Sequence, residues 1–118
     1  MGVLTLLTDF GIKDGFVGVM KGIIWDICPD LKIADISHQI QPQNVMQGAL
    51  TLSRVAPYFG DGTVHVAVVD PGVGPQRRAI AAQIGSQRYV APDNGLLTLL
   101  IEGAEEKHLP IKVAELDN

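Results

Sequence analysis

The chain has 118 residues and a formal net charge of −4, and 47% of its residues are hydrophobic while 19% are charged. This length suits one compact domain with a core, and the composition argues against disorder. Because the longest basic run is Arg77-Arg78, nucleic acid and anionic membranes are poor partners, and a small ligand is expected. No apolar run approaches the roughly 20 residues of a membrane-spanning helix, and no charged n-region precedes an apolar segment, so we predict a cytoplasmic protein.

The start of the chain predicts a strand followed by a helix. An apolar run at 3–7 ends in the turn Thr8-Asp9-Phe10-Gly11, which places Asp9 at the carboxyl end of a buried strand. Apolar residues then recur at helical spacing from 14 to 27. Glycines at 15, 18 and 22 weaken this helix, so we expect them to compensate by packing closely on the sheet.

The remaining elements follow from the same kinds of pattern. A second strand is predicted at 31–36, and Asn44 is expected to cap a second helix that ends at 56. The β-branched run at 64–69 predicts a central strand that is covered on both faces. Further elements are predicted as a hairpin of strands at 79–84 and 88–91, a short helix at 96–101 and a last strand at 111–116. The β-α-β-α-β opening predicts an α/β fold with a mostly parallel sheet and helices on both faces, as in a Rossmann-like three-layer sandwich.

Several carboxylates are predicted to lie at one edge of this sheet. Asp9, Asp35, Asp70 and Asp93 each follow a predicted strand, and ligands of open α/β sheets bind at the carboxyl ends of the strands. Such carboxylates can accept hydrogen bonds from a ribose diol, hold an ammonium group, bind Mg²⁺ or act as a base. Aspartate is also a common turn and N-cap residue, so Asp35 and Asp93 are equally well explained by turns.

The loop after the central strand carries basic residues as well as an aspartate. Asp70 is followed by a turn and then by Arg77 and Arg78, either of which can be a solvated loop residue or can return toward Asp70. An arginine cannot act as a base at neutral pH, but it can stabilise an anion and lower the pKa of a nearby water. We therefore interpret Asp70 with its arginine as half of a reaction centre.

The remaining reactive residues indicate no further site. The three histidines show no metal-ligand spacing with one another or with Cys28. His65 lies inside a predicted strand and is interpreted as a hydrogen-bonded core residue. Cys28, the single cysteine, lies in an apolar helical pattern, which favours either a reducing compartment or simple core packing, and we interpret it as inert.

Four motifs in order carry a family resemblance: LTDFG at 7–11, DISHQI at 35–40, GTVHVAVVDPGVGPQRR at 62–78 and APDNGLLT at 91–98. Together they resemble the S-adenosylmethionine (SAM) hydroxide adenosyltransferases, which are related to the SAM-dependent chlorinases and fluorinases. The resemblance implies cleavage of SAM by water at ribose C5′, giving adenosine and L-methionine. It also implies a homotrimer and no metal or other cofactor, since SAM is the substrate.

The resemblance also implies roles for individual residues. Asp9 matches the carboxylate that holds the ribose hydroxyls, with Phe10 beside it in the substrate site, and Asp14 matches the acid that receives the methionine ammonium. Asp70 and Arg77 match two members of the family's Asp-Arg-His catalytic set. The histidine of that set lies beyond the last residue of this chain.

Three positions depart from the halogenating relatives. Val73 stands where those enzymes carry a hydroxyl residue, Asn118 where they carry a serine near the halide, and Gln43 where the fluorinase carries a tryptophan. Val73 and Asn118 are accordingly expected to line the substrate site without binding halide. Water is therefore the expected nucleophile.

The resemblance covers the N-terminal domain of the family. We expect residues 1–118 to form the N-terminal α/β SAM-binding domain, and the family's C-terminal β-barrel, which supplies adenine contacts, is absent from this chain. Two other functions stay open at this point. One is a non-catalytic module that binds adenosine or SAM, and the other is a Mg²⁺-dependent hydrolase that uses the clustered carboxylates.

Overall fold

The computed structural model describes residues 2–12, 14–69 and 78–116. Within them, the strands are β1 (Val3–Thr8), β2 (Lys32–Ser37), β3 (Val64–Val68), β4 (Ala79–Ile84), β5 (Gln87–Pro92) and β6 (Ile111–Glu115). The helices are α1 (Phe16–Ile27), α2 (Val45–Val55) and α3 (Thr98–Glu106), and a short 3-10 helix, Ala56–Tyr58, follows α2. Every strand and helix predicted from the sequence is present. None of the described helices is long and apolar enough to cross a membrane.

The sheet is mixed, so the expectation of a mostly parallel sheet describes only one half of it. The strand order is β2-β1-β3-β5-β4-β6, in which β1 runs parallel to β2 and β3, and β3 runs parallel to β5. Strand β4 is antiparallel to both β5 and β6. The reason is local, because β4 and β5 are joined by Gly85 and Ser86 alone, and so tight a connection reverses the chain direction.

The core lies between one face of the sheet and the helices α2 and α3. Leu7, Ala67 and Val69 contribute to it from the strands, and Leu52 and Leu96 from the helical side. Helix α2 begins as predicted, because the side chain of Asn44 accepts a hydrogen bond from the backbone N–H of Gln47 at 2.9 Å.

One glycine in α2 allows this packing. A Cβ added to Gly48 would lie 2.9 Å from Leu96 Cδ2 and 3.2 Å from Val69 Cγ2. Both distances are shorter than ordinary carbon contacts of about 3.5–4.0 Å. A hydrogen at this position therefore lets α2 approach the sheet closely.

Helix α1 does not pack as its sequence pattern predicts. It has no buried residue, and Phe16, Val19 and Ile23 are each 59% exposed. A Cβ added at Gly18 or Gly22 would meet nothing within 4 Å among the described residues, so the expectation of close packing by the α1 glycines is wrong. Apolar spacing specifies a helix with one apolar face, but it does not specify what covers that face.

Cys28, at the end of α1, is exposed, so the expectation of core packing is wrong for this residue as well. Its backbone N–H donates to the Ile24 carbonyl at 2.8 Å and closes the last turn of the helix. The apolar pattern therefore ends at a residue whose backbone, rather than its side chain, has the structural role.

The face of β3 opposite α2 is also open. His65 and Ala67 are buried on the α2 side, whereas Val64 and Val66 alternate with them and are only half-buried. Val64 lines a shallow apolar groove together with Ala81 of β4 and residues of β5 and β6. The expectation that the central strand is covered on both faces therefore holds for one face within the described residues.

Candidate substrate-binding site

The carboxyl ends of β1 and β3 define one edge of the sheet. Thr8 of β1 is the register partner of Val68 in β3, and the two strands are parallel. The chain therefore leaves both strands at the same edge, with Asp9 following β1. Asp70 follows β3 in the sequence but lies outside the described residues, as do Val73, Arg77 and Asn118. The roles expected for these four residues stay predictions.

Asp9 is half-buried and is held by a backbone group. Its Oδ2 accepts a hydrogen bond from the N–H of Gln43 at 2.7 Å. Gln43 has a φ of 65°, a left-handed conformation that is uncommon outside glycine and costs roughly 1 kcal/mol or more. No hydrogen bond to Oδ1 of Asp9 is found among the described residues. Asp9 is therefore fixed through one carboxylate oxygen, and its other oxygen has no hydrogen-bond partner in the part of the chain that the structure describes.

Phe10 and Asp14 lie on the same connection between β1 and α1. The Phe10 ring packs against the Phe16 ring with centroids 6.2 Å apart and an interplanar angle of 59°, and Phe10 is 36% exposed. Asp14 is exposed and precedes Gly15, the N-cap residue of α1, which has a φ of 75°. The structure therefore places Asp9, Phe10 and Asp14 on one loop, which we call the Asp9 loop (residues 9–15).

A buried histidine that sequence reasoning did not assign to the site contacts this loop. The backbone carbonyl of His38 accepts the N–H of Gly11 at 2.7 Å. Its ring Nδ1 lies 2.8 Å from Thr8 Oγ1, and that oxygen accepts the N–H of Phe10 at 3.2 Å. The other ring nitrogen, Nε2, lies 2.7 Å from Asp35 Oδ1. The DISHQI motif contains both Asp35 and His38, but its spacing did not indicate that they meet.

Asp35 contacts basic side chains in the part of the chain that the structure describes. It lies within β2 and pairs with Lys21 of α1 at 2.7 Å. Burial alone would raise the pKa of its carboxyl, but hydrogen bonds and charge from Lys21 and His38 outweigh this effect and the pKa is lowered. Among the described residues, no three of His, Cys, Asp or Glu lie close enough to hold a metal ion. The contacts of Asp35 are thus with Lys21 and His38, and the gathering of carboxylates at the sheet edge stays a prediction because Asp70 lies outside the described residues.

The turn after β5 ties together the two described residues that flank positions 70–77. The side-chain amide of Asn94 donates to the carbonyl of Val69 at 2.8 Å. The backbone N–H of Asp93 donates to the carbonyl of Arg78, also at 2.8 Å. The motif APDNGLLT thus has a physical role, since its turn holds the chain where it leaves β3 and where it returns toward β4.

Arg78 and His65 have structural roles. The Arg78 guanidinium donates to Glu115 at 3.0 Å across β4 and β6, and its side chain is 67% exposed. His65 is fully buried between Thr5 and Gln87, with hydrogen bonds of 2.6 and 3.1 Å. Burial lowers the pKa of His65, against an opposing effect of its hydrogen bond with Gln87. The prediction of a hydrogen-bonded core histidine is confirmed.

These features define an α/β domain with an acidic loop at the carboxyl edge of parallel strands. A family model described as the SAM hydroxide adenosyltransferase N-terminal domain matches residues 4–118. The chain therefore belongs to the SAM hydroxide adenosyltransferase family, as its four motifs predicted.

Individual relatives agree with this assignment. The chain is 46% identical over 120 residues to an (R)-S-adenosyl-L-methionine hydrolase of Methanocaldococcus jannaschii, covering 98% of this chain and 45% of the relative. A fluorinase of Nocardia brasiliensis is more distant, at 32% identity over 85% of this chain and 41% of the relative. The crystal structure of an uncharacterized conserved protein from Thermotoga maritima superimposes with a TM-score of 0.87 at 40% identity, covering 98% of this chain and 43% of that one. The chain thus spans less than half the length of these relatives.

Proposed function

We propose that this chain is the N-terminal, substrate-binding domain of an enzyme that cleaves SAM with water at ribose C5′ and releases adenosine and L-methionine. The observation that carries the proposal is Asp9, which follows β1 and has one carboxylate oxygen fixed by Gln43 and no partner for the other within residues 2–12, 14–69 and 78–116. A carboxylate in this state can accept hydrogen bonds from the two hydroxyls of a ribose. The hydrolase names of relatives at up to 46% identity support SAM as the substrate.

The Asp9 loop supports the positioning part of this reaction. On the proposal, Asp9 holds the ribose, Asp14 at the start of α1 holds the methionine ammonium, and the half-exposed Phe10 lies against the substrate. The leaving group of SAM is a sulfonium, which departs as a neutral thioether and requires no acid. Catalysis then consists of holding C5′ in line with a water and making that water a better nucleophile.

Asp70 and Arg77 are proposed to act on the water. Asp70 orients and deprotonates it, and Arg77 stabilises the developing hydroxide, an electrostatic effect that is largest where bulk water is excluded. An anion at this position also repels chloride and fluoride, which favours water over halide. The proposed reaction uses no metal or other cofactor.

Assembly and the second domain are part of the proposal. We propose that the C-terminal β-barrel of the family completes the adenine side of the site, and that the enzyme is a homotrimer. The exposed apolar face of α1 and the open face of β3 are consistent with further packing partners. The chain alone is then expected to bind SAM or adenosine weakly and to release no adenosine.

The proposal is tested by product analysis of the full-length enzyme. Turnover of SAM in ¹⁸O-water should release adenosine that carries the label at O5′, with or without a chelator. A halogenated nucleoside formed in chloride or fluoride buffer would contradict the assignment of water as nucleophile. Activity that requires Mg²⁺ would favour the carboxylate-cluster hydrolase, and tight SAM binding without products would favour the non-catalytic module.

Two matched pairs of variants test the residue roles. Asp9→Asn should raise KM for SAM, whereas Asp30→Asn, at an exposed turn residue after α1, should not. Arg77→Ala should lower kcat by about 10²–10³, since a lost transition-state contact of this kind costs roughly 2–4 kcal/mol. Arg78→Ala should have a much smaller effect because Arg78 pairs with Glu115 on the surface. Equal effects of the two arginine changes would refute the role of Arg77.

A further inference from the structure

A chain of four side chains runs from α1 to the Asp9 loop. Lys21 Nζ lies 2.7 Å from Asp35 Oδ2, and Asp35 Oδ1 lies 2.7 Å from His38 Nε2. His38 Nδ1 lies 2.8 Å from Thr8 Oγ1, which accepts the backbone N–H of Phe10. We propose that this relay, Lys21–Asp35–His38–Thr8, positions Asp9 and Phe10 for the substrate, with His38 as its central positioning residue. The inference rests on the proposed function, since it assigns these residues to the same site.

For a neutral His38 ring, the chemistry of the partners assigns a direction to every bond in the relay. A lysine ammonium only donates and an ionised carboxylate only accepts, so Asp35 receives both Lys21 and the Nε2–H of His38. At the other end, the N–H of Phe10 donates to the Thr8 oxygen. The hydroxyl proton of Thr8 is then directed to Nδ1, which accepts it in the neutral ring. Every polar group in the relay therefore has a partner.

Burial makes the inner end of the relay costly to disturb. Thr8 is fully buried and His38 is 7% exposed, so breaking their contact would leave a hydroxyl and a ring nitrogen without partners and away from water. The backbone carbonyl of His38 also accepts the N–H of Gly11. The Asp9 loop is thus tied to His38 twice, once through the side chain and once through the main chain.

A register shift in the sheet brings Asp35 and His38 together. Leu6 is opposite Asp35, but the next residue, Leu7, is opposite Ser37, so β2 contains one extra residue at this point. If the pairing continued without this shift, positions 35 and 38 would face opposite sides of the sheet, because side chains alternate along a regular strand. With it, both residues face the side of Thr8 and the relay can close.

Strand β1 carries a second buried threonine, Thr5, whose pairing with His65 of β3 serves as a control. Thr5 Oγ1 lies 2.6 Å from His65 Nδ1, and Thr5 is as fully buried as Thr8. This pair lies on the α2 side of the sheet and continues to Gln87 in the core, not to the Asp9 loop. Removing the Thr5 hydroxyl should therefore cost stability as removing the Thr8 hydroxyl does, but should leave the loop in place.

The test compares three variants of the full-length enzyme: Thr8→Val, Thr8→Ser and Thr5→Val. Hydrogen exchange measured by mass spectrometry on the peptide that contains Phe10 and Gly11 should accelerate about tenfold in Thr8→Val, corresponding to the loss of one buried hydrogen bond. In the same variant KM for SAM should rise about tenfold with a smaller change in kcat. Thr8→Ser, which restores the hydroxyl, should stay within about threefold of the wild type for both quantities. Thr5→Val should lower Tm without changing either.

The outcomes of this test distinguish a failure of the relay from a failure of the proposed function. Unchanged exchange in Thr8→Val, or equal KM effects of Thr8→Val and Thr5→Val, would overturn the relay. Wild-type enzyme that releases no adenosine would contradict the proposed function, while the exchange measurement would still test the relay because it needs no substrate. If Thr8→Val does not fold, His38→Asn replaces it. The asparagine amide oxygen can accept the Thr8 hydroxyl, but the asparagine side chain is too short to reach Asp35. Hydrogen exchange of the Phe10–Gly11 peptide should then accelerate a few-fold, and exchange at the wild-type rate would overturn the inference.

Discussion

Replacing a glycine by alanine is predicted to stabilise the chain in α1 and to destabilise it in α2. Gly48 in α2 and Gly22 in α1 both lie inside helices, and in each case alanine should improve the intrinsic helix propensity by roughly 0.5–1 kcal/mol. At Gly22 the new Cβ would meet nothing within 4 Å among the described residues. Gly22→Ala should therefore raise the free energy of unfolding of this chain by about that amount.

At Gly48 packing reverses the sign. The added Cβ would lie 2.9 Å from Leu96 Cδ2 and 3.2 Å from Val69 Cγ2, so reaching a separation of about 3.5 Å requires shifts of about 0.6 and 0.3 Å. Leu96 and Val69 are fully buried and have little room to move. Overpacking of a core costs about 1–3 kcal/mol, and after the propensity gain the net destabilisation by Gly48→Ala should be about 0.5–2 kcal/mol.

Urea unfolding of the two variants, followed by circular dichroism, measures both changes against the wild-type chain. The expected result is a higher midpoint for Gly22→Ala and a lower midpoint for Gly48→Ala at unchanged m-values. A stabilised Gly48→Ala would show that α2 does not approach the sheet as closely as described, and a destabilised Gly22→Ala would show that the glycine face of α1 is covered.

Two further predictions concern hydrogen bonds in the core and near the site. Asn94→Ala removes the bonds to the Val69 carbonyl and from the Leu96 N–H and should lower the free energy of unfolding by about 1–3 kcal/mol. The control Asn94→Asp should lose only the bond to Val69. Equal stability of Asn94→Ala and the wild type in urea would contradict this role of Asn94. Burial lowers the pKa of His65 below its ordinary value of 6.5 in the folded chain, so below that pH the unfolded chain binds more protons at His65 than the folded chain does. The free energy of unfolding should therefore decline as the pH falls below 6.5. Urea midpoints at pH 7.5 and 5.5 check this, and a His65→Gln variant with an undiminished pH dependence would assign the effect to another group.

Much of the fold follows from local patterns in the sequence. The predicted strands and helices are all present, because hydrophobic period, turn residues and capping act over a few neighbouring residues. The Asn44 cap and the buried His65 are examples, since each depends mainly on its immediate setting. The motifs also determined the family, and the end of the first strand indicated where Asp9 lies.

Other features depend on which elements meet, and they required the tertiary structure. Close packing was predicted for the glycines of α1, yet the glycine that lies against Leu96 and Val69 is Gly48 of α2, for which the sequence carried no such prediction. The hairpin of β4 and β5 was predicted, but the pairing of β5 with β3 and of β6 with β4 required the tertiary structure. Pairing of strands is non-local, so a pattern within one strand does not determine its neighbour.

The candidate site likewise combines features that follow from the sequence with features that required the tertiary structure. Regular alternation continued past the end of β2 would place Asp35 and His38 on opposite faces, whereas the extra residue in the pairing of β2 with β1 brings both to the side of Thr8. A register shift is a property of two strands and of the turns that join them to the rest of the sheet. The sequence by itself therefore determined that an acidic loop follows β1, whereas the pairing of β1 with β2 decided which buried side chains hold that loop in place.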